Sequence, residues 1–449
     1  MIHNNTIVVL GAGESGTGAA ILAKKQGFYV FVSDAGTISA TYKQLLDDNA
    51  IPYEEGTHTT DIIFQAKEII KSPGIPEKAP LIQQVKSLGI PVISELEFAA
   101  RYTNAKLICI TGSNGKTTTT LLTYHILKQA GLHVGLAGNV GKSFALQVAN
   151  ETYDYYVIEI SSFQLDDMYD FKADIAVLLN ITPDHLDRYE YTFQNYINSK
   201  FRILQNMNSH DSFIYCNDDE VLIRELQQRT IVPHIFGYTT TNDSSQTGYL
   251  DSNTIYVKTP QKENLSMSVY DMLLKGKHNY GNTMAAAIAA QIVDIKNEQI
   301  RESLRTFSGV EHRLEKLSYT VRGVEFINDS KATNVNSTWY ALESMDDNVI
   351  WIAGGTDKGN EYDSLYELAT AKVKALVCLG VDNTKLIESF TGKIPVITEA
   401  KSMKEAVTKA YKLAQKGDTV LLSPCCASFD LFKNYIDRGL QFKQEVRNL

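Results

Sequence analysis

No stretch of this 449-residue chain approaches the roughly 18 consecutive apolar residues that a membrane-crossing helix requires, so no membrane segment is expected. Met1 to Thr6 lacks a basic leader, and the apolar run Ile7 to Leu10 is too short for a signal-peptide core. Cysteine is scarce: Cys109, Cys216, Cys378, Cys425 and Cys426 form no CxxC pair, and their odd number makes a poor disulfide framework. These absences place the chain in a reducing compartment, and we expect a cytoplasmic protein. Positive charge is also in deficit, with 43 Lys and Arg against 52 Asp and Glu and a net charge of −9, which argues against a nucleic-acid partner. Anionic substrates would need local basic or amide-lined sites.

With 44% hydrophobic and 21% charged residues the composition is that of a globular protein, and the length exceeds what one core serves. Short apolar runs alternate with helical stretches, which predicts α/β architecture with parallel sheets. A first series holds Thr6 to Leu10, Tyr29 to Val32, Glu68 to Ile70 and Pro91 to Ile93. A second begins at Lys106 to Ile110 and continues through Tyr155 to Ile160 and Ile175 to Leu179. Tyr238 to Ser266 reads as hairpins and loops. Val324 to Ile327, Val349 to Ala353, Ala375 to Leu379 and Thr419 to Leu422 make a third. We expect three domains: a Rossmann-like 1–99, a central P-loop NTPase-like 100–308 with a mostly parallel sheet, and a Rossmann-like 309–449. Ligands of open α/β sheets lie beyond the carboxyl ends of the strands, and the polar motifs of this chain follow strand ends.

Thr111-Gly-Ser-Asn-Gly-Lys-Thr-Thr118 joins a strand to a helix. Gly112 and Gly115 let backbone amides turn toward phosphate oxygens, Lys116 can reach the outer phosphates, and the Thr117 hydroxyl can ligate Mg²⁺. The helix adds its positive N-terminal end. This reads as a site for ATP. Glu159, at the end of the next strand, could bind the same cation, a hard ion suited to oxygen ligands. Asp184, His185, Asp187 and Arg188 gather within one turn after a further strand, and Lys200 would by default be a helix-surface lysine. Gly11, Gly13 and Gly16 spell GxGxxG after a strand, and Asp34 ends the next one. Taken alone this fits a nicotinamide oxidoreductase, but the same turn can cradle the diphosphate of a UDP-sugar. A non-catalytic ATP-binding module would need the phosphate loop only.

The loop departs from the general pattern in having Ile110 where a glycine five residues before Gly115 is usual. This shortened GxxGKT form resembles that of the Mur ligase family. Asn180-Ile-Thr-Pro-Asp-His-Leu-Asp187, His278-Asn279 with Asn282, Glu311-His-Arg-Leu-Glu315, and Asn328-Asp-Ser-Lys-Ala-Thr-Asn334 resemble further family motifs in family order. The resemblance implies an ATP-dependent amide-forming ligase with ATP as co-substrate and two Mg²⁺ ions. It assigns Gly112, Asn114, Gly115, Lys116, Thr117, Thr118, Asn282, Arg313, Asp329 and Lys331 to ATP. Thr117, Glu159, His185 and a carbamoylated Lys200 would hold metal, with Lys116, His185 and Lys200 catalytic. Glu14, Ser15, Gly16, Asp34, Ser72, Gly74, Asn139 and His185 would bind a UDP-substrate. The resemblance of Ser423-Pro-Cys-Cys-Ala-Ser-Phe-Asp430 to glutamate-adding members assigns D-glutamate to Thr333, Lys358, Ser428, Phe429 and Tyr435. It implies UDP-N-acetylmuramoyl-L-alanine as the other small-molecule partner. We expect a monomer, and we read Cys425 and Cys426 as packing residues because neither has a motif-linked histidine.

Overall fold

The apolar runs assemble into three sheets, and a computed structural model describes residues 5–260, 262–274, 276–307 and 309–449. The first sheet contains β1 (Thr6–Leu10), β2 (Tyr29–Asp34), β3 (Tyr53–Glu55), β4 (Glu68–Lys71) and β5 (Val92–Ile93) in the order β3-β2-β1-β4-β5. All of its pairings are parallel. The second contains β6 (Lys106–Thr111), β7 (Val134–Gly138), β8 (Tyr155–Glu159), β9 (Ile175–Leu178), β10 (Ser212–Cys216), β11 (His234–Tyr238), β12 (Gly248–Asp251), β13 (Thr254–Val257) and β14 (Leu265–Ser268). Its order is β14-β13-β12-β11-β10-β9-β6-β8-β7, parallel except for the closing β12-β13-β14 meander. The third contains β15 (Glu315–Lys316), β16 (Glu325–Asn328), β17 (Val349–Ala353), β18 (Val373–Leu379), β19 (Val396–Ala400) and β20 (Thr419–Leu422), ordered β15-β16-β20-β17-β18-β19. Only the short β15 runs antiparallel there. The α/β expectation therefore holds, and the Tyr238 to Ser266 hairpins extend the second sheet rather than standing apart from it.

Central strands such as β1, β8 and β17 are buried at nearly every position, as helices on both faces demand. The alanine-rich segment forms a helix over Lys277–Ile292. Asn279 and Asn282 therefore lie inside its first turns. Alanine's high helix propensity extends the helix through these polar residues.

Packing divides the chain into two compact units, one formed by residues up to Leu273 with Asn279–Phe307 and the other by 274–278 with the residues beyond 308. The first unit holds the first two sheets on one continuous core that runs from Ile7 and Val9 to Tyr156 and Phe213. Here the helix Glu14–Lys25 packs on the helix Phe144–Asn150, and a Cβ on Gly18 would lie 2.1 Å from Ser143 Oγ, so glycine permits the approach. The second unit's sheet is covered on its two faces by separate apolar clusters, one centred on Phe326 and Phe442, the other on Trp351 and Phe390.

Two buried carboxylates join the halves of the first unit. Glu97 accepts from the amides of Tyr169, Asp170 and Phe171 at 3.0, 3.2 and 2.9 Å. Glu95 accepts from Ser143 Oγ and the Ala145 amide, both at 2.7 Å. Burial pushes the Glu95 carboxyl up to about 7, against the lowering effect of those hydrogen bonds. Because the folded state then binds the proton more tightly than the unfolded chain, this group's contribution to stability is complete below its ordinary pKa of 4.5 and is lost as pH rises toward 7. Glu95→Gln keeps the two accepted hydrogen bonds and removes the titration. The melting temperature of the wild type should fall relative to that of the variant between these pH values, by the equivalent of about 1.4 kcal/mol per pH unit at the steepest. Parallel melting curves across that range would contradict it.

Candidate functional site

Strand order brings the central motifs together. Because β6 lies between β8 and β9, with Ile110 opposite Glu159 and Thr111 opposite Leu178, the loops that follow these strands open side by side. Gly138 at the end of β7 faces Glu159 as well, which places Asn139 next to it.

The phosphate loop is shaped by its neighbours. Gly115 precedes the helix Lys116–Gln129 at φ 83°, a left-handed conformation, and a Cβ there would come within 2.5 Å of Asn282 Oδ1. The Asn114 amide donates to Asn180 Oδ1 at 2.8 Å, and Asn180 Nδ2 donates back to the Asn114 carbonyl at 3.0 Å. Ser113 Oγ donates to the Thr182 carbonyl at 2.9 Å and lies 3.0 Å from the Tyr196 hydroxyl. Lys116 Nζ folds back on the Gly112 and Ser113 carbonyls at 2.7 Å each. Asn282 takes a hydrogen bond from Thr119 Oγ1 at 3.2 Å and donates to Asn279 at 3.1 Å, so it is fixed beside the loop. Thr117 and Thr118 are buried at the start of the helix.

Glu159 is buried, with Oε1 accepting from Asn139 Nδ2 at 2.9 Å and Oε2 without a hydrogen-bond partner. Lys200 is not a surface lysine: it is 2% exposed, donating to Thr111 Oγ1 at 3.2 Å and to the Gly112 carbonyl at 2.9 Å. Burial, and then the nearby Lys116 charge, push its ammonium well below the ordinary range, which favours the neutral amine. The unpartnered Glu159 oxygen and the Thr117 hydroxyl are oxygen donors of the kind a hard divalent cation takes; the Lys200 amine, a nitrogen, would join them only as a carbamate. His185 is partly exposed in a left-handed conformation (φ 52°), edge-on to Phe163 at 5.1 Å, with its backbone amide held by Asp184.

In the first sheet β1 lies between β2 and β4, the point at which strand order reverses. Glu14, Ser15 and Gly16 begin the helix that follows β1. Asp34 serves the glycine loop from within, accepting the Ala12 amide at 2.7 Å and the Gly36 amide at 2.8 Å. Ser72 packs against Gly11, and the Gly74 carbonyl accepts from Arg188 at 2.9 Å. Arg188, from the second-sheet half of the unit, is thus held at the Ser72–Ile75 loop.

In the other unit β20 inserts between β16 and β17, so the loops carrying Asp329, Ser423 and Gly354 are neighbours. Asp329 accepts from Ser423 Oγ at 2.8 Å and from the Leu314 amide at 3.2 Å, and burial pushes it up to about 7 while the Arg313 charge lowers it. Lys331 lies 5.4 Å over the Tyr435 ring. Thr333 is half-buried, Lys358 and Phe429 are exposed, and Ser428 is buried. Arg438 is 1% exposed and donates to Ser330 and to the carbonyls of Gly354 and Cys426, which ties the three loops together. Sequence reasoning gave it no role. Tyr196 was likewise missed, although its spacing of four residues before Lys200 puts both on one helix face, and its ring lies 5.3 Å from the Lys200 amine. Cys425 and Cys426 are buried, with Cys426 Sγ 3.4 Å from the Tyr362 hydroxyl.

A glycine-turned loop feeding a helix, with acidic, amide and amine groups at adjacent parallel strand ends, defines a nucleotide-phosphate-binding α/β protein. Three family models match in succession: the Mur ligase MurD-like N-terminal domain over residues 5–94, the Mur ligase middle domain over 110–290, and the Mur ligase glutamate ligase domain over 312–426. The chain is 58% identical over 444 residues to the UDP-N-acetylmuramoylalanine–D-glutamate ligase of Bacteroides fragilis, with 99% of each chain covered. It is 56% identical to the same-named protein of Porphyromonas gingivalis, covering 99% of this chain and 98% of the relative. The solved UDP-N-acetylmuramate-alanine ligase of Thermotoga maritima shares the fold, with a TM-score of 0.63 at 17% identity over 99% of both chains. The chain belongs to the Mur ligase family of ATP-using enzymes.

Among the described residues no helix is long and apolar enough to cross a membrane. The reciprocal Asn114–Asn180 pair gives the loop its test. Asn180→Ala removes both hydrogen bonds without touching the helix, and ATP affinity measured by calorimetry should fall about tenfold with an unchanged circular dichroism spectrum. Unaltered affinity would show that the pair does not shape the loop.

Proposed function

We propose that this chain joins D-glutamate to UDP-N-acetylmuramoyl-L-alanine at the expense of ATP, in the cytoplasm, as a step of peptidoglycan precursor synthesis. The observation that carries the reading is the convergence of the phosphate loop and Glu159 at adjacent strand ends with Lys200, whose amine reaches the loop from the helix Phe193–Phe201. Relatives named for this reaction, aligned over nearly the whole chain, support the choice of substrates.

The terminal carboxylate of the UDP-substrate attacks the γ-phosphorus of ATP, an acyl phosphate forms, and ADP leaves. The glutamate amine then adds to the acyl carbon, and phosphate departs from the tetrahedral intermediate. Lys116 and Arg313 offset charge on the transferring phosphoryl group, the main source of catalysis in such transfers. Thr117, Glu159, His185 and a carbamoylated Lys200 would hold Mg²⁺, two ions in all, which when bound neutralise phosphate charge. Asp329, Lys331 and Asn282 serve ATP together with the loop residues. Glu14, Ser15, Gly16, Asp34, Ser72, Gly74, Asn139 and His185 serve the UDP-substrate. Thr333, Lys358, Ser428, Phe429 and Tyr435 serve D-glutamate, and the chain acts as a monomer.

Phosphate release with ATP, Mg²⁺ and UDP-N-acetylmuramoyl-L-alanine should require D-glutamate among a panel of amino acids. Preferred turnover of L-alanine or diaminopimelate would overturn the assignment. Lys116→Ala should lower kcat/KM by about 10³-fold. For Lys200, ¹³C NMR of protein equilibrated with ¹³C-bicarbonate should show a carbamate resonance that Lys200→Ala abolishes together with most activity. An alanine variant as active as the wild type would dismiss the carbamate.

A further inference from the structure

Lys71 is a buried lysine at the last position of β4, immediately ahead of the Ser72-Pro73-Gly74-Ile75 loop. An ammonium has three protons to place. One goes to the Ile75 carbonyl at 3.0 Å, closing the loop on itself. The Lys71 charge is paired with Glu77 Oε1 at 3.0 Å and Asp167 Oδ2 at 2.9 Å, and the Asp167 side chain is only 1% exposed. The loop is completed by hydrogen bonds from the Ser72 amide to the Leu10 carbonyl and from the Ile75 amide to the Ser72 carbonyl.

Asp167 belongs to the second-sheet half of this unit. It directly follows the helix Ser162–Asp166, whose cap, Ser161, comes two residues after Glu159. Arg188, which donates to the Gly74 carbonyl, comes three residues after His185. The loop is therefore gripped twice by segments that begin at candidate metal-binding residues: by Asp167 through Lys71, and by Arg188 directly. A buried ion pair adds little net stability, because desolvation offsets attraction, and its contribution is better sought in position.

We infer that Lys71 is a positioning residue that holds the Ser72–Ile75 loop in the shape that receives the UDP-substrate, in register with the phosphate-loop end of the central sheet. This rests on the proposed function. Lys71→Met keeps the stem and removes the charge. In steady-state phosphate release its KM for UDP-N-acetylmuramoyl-L-alanine should rise about tenfold, with the KM values for ATP and D-glutamate and the kcat within about twofold of wild type. Since this variant leaves Asp167 buried without its partner, the double variant K71M/D167N is measured beside it. It should regain the wild-type melting temperature and keep the raised KM, a split that a purely structural role would not give. A wild-type KM in either folded variant, or recovery of KM along with stability in the double variant, overturns the inference. Absence of turnover of the UDP-substrate by the wild-type protein would instead remove the proposed function, and this inference with it.

Discussion

Everything at the central site depends on β6 being flanked by β8 and β9. Parallel strands end on the same edge of a sheet, so this order gathers three loops that are distant in sequence. The left-handed turn at Gly115 then starts a helix with its amides facing that edge, while Asn180 from the β9 side clamps the loop. With β6 elsewhere in the sheet, Glu159, Asn180 and Lys200 would not meet, whatever their identities.

The first unit adds a second constraint, the fixing of one sheet against the other through buried polar groups. Glu97 engages three consecutive amides and Glu95 engages a hydroxyl and an amide, so each carboxylate is satisfied by groups across the junction. Apolar packing alone would tolerate sliding of the Glu14–Lys25 helix along Phe144–Asn150. Directional acceptors fix one arrangement, because any slide leaves buried amides without partners.

Much of this was legible in the sequence where the signal is local. Val349 to Ala353 and Thr419 to Leu422 are continuous apolar runs bounded by polar turns, and they became strands with those bounds. Edge or weakly apolar strands such as Tyr53–Glu55 and Val396–Ala400 carry too few buried residues to announce themselves. The motifs gave the phosphate loop, Glu159 and Lys200 as candidates, but the burial of Lys200 could not be read from Asn-Ser-Lys-Phe-Arg, since it comes from packing against Thr111 and Gly112, roughly ninety residues earlier. Arg438 and Lys71 were invisible for the same reason. Their partners are backbone carbonyls and carboxylates brought close by topology, and neither has a spacing that marks it.

The electrostatics of the central site argue for chemistry rather than for storage of stability. Lys200 is a buried amine whose strongest neighbouring charge is another cation, Lys116, and Glu159 is a buried carboxylate with one oxygen unpartnered. A fold selected only for stability has little use for either, because burying an amine and a carboxylate oxygen without a hydrogen-bond partner costs desolvation that apolar groups would not. The two costs have one joint remedy. If the neutral amine takes up CO₂ it becomes an anion, and together with the free Glu159 oxygen and the Thr117 hydroxyl it offers oxygen ligands to a divalent cation, whose charge then answers both. On the proposed reading, cation and nucleotide binding at this edge of the sheet would be linked to its stability, since a ligand that binds only the folded state stabilises it.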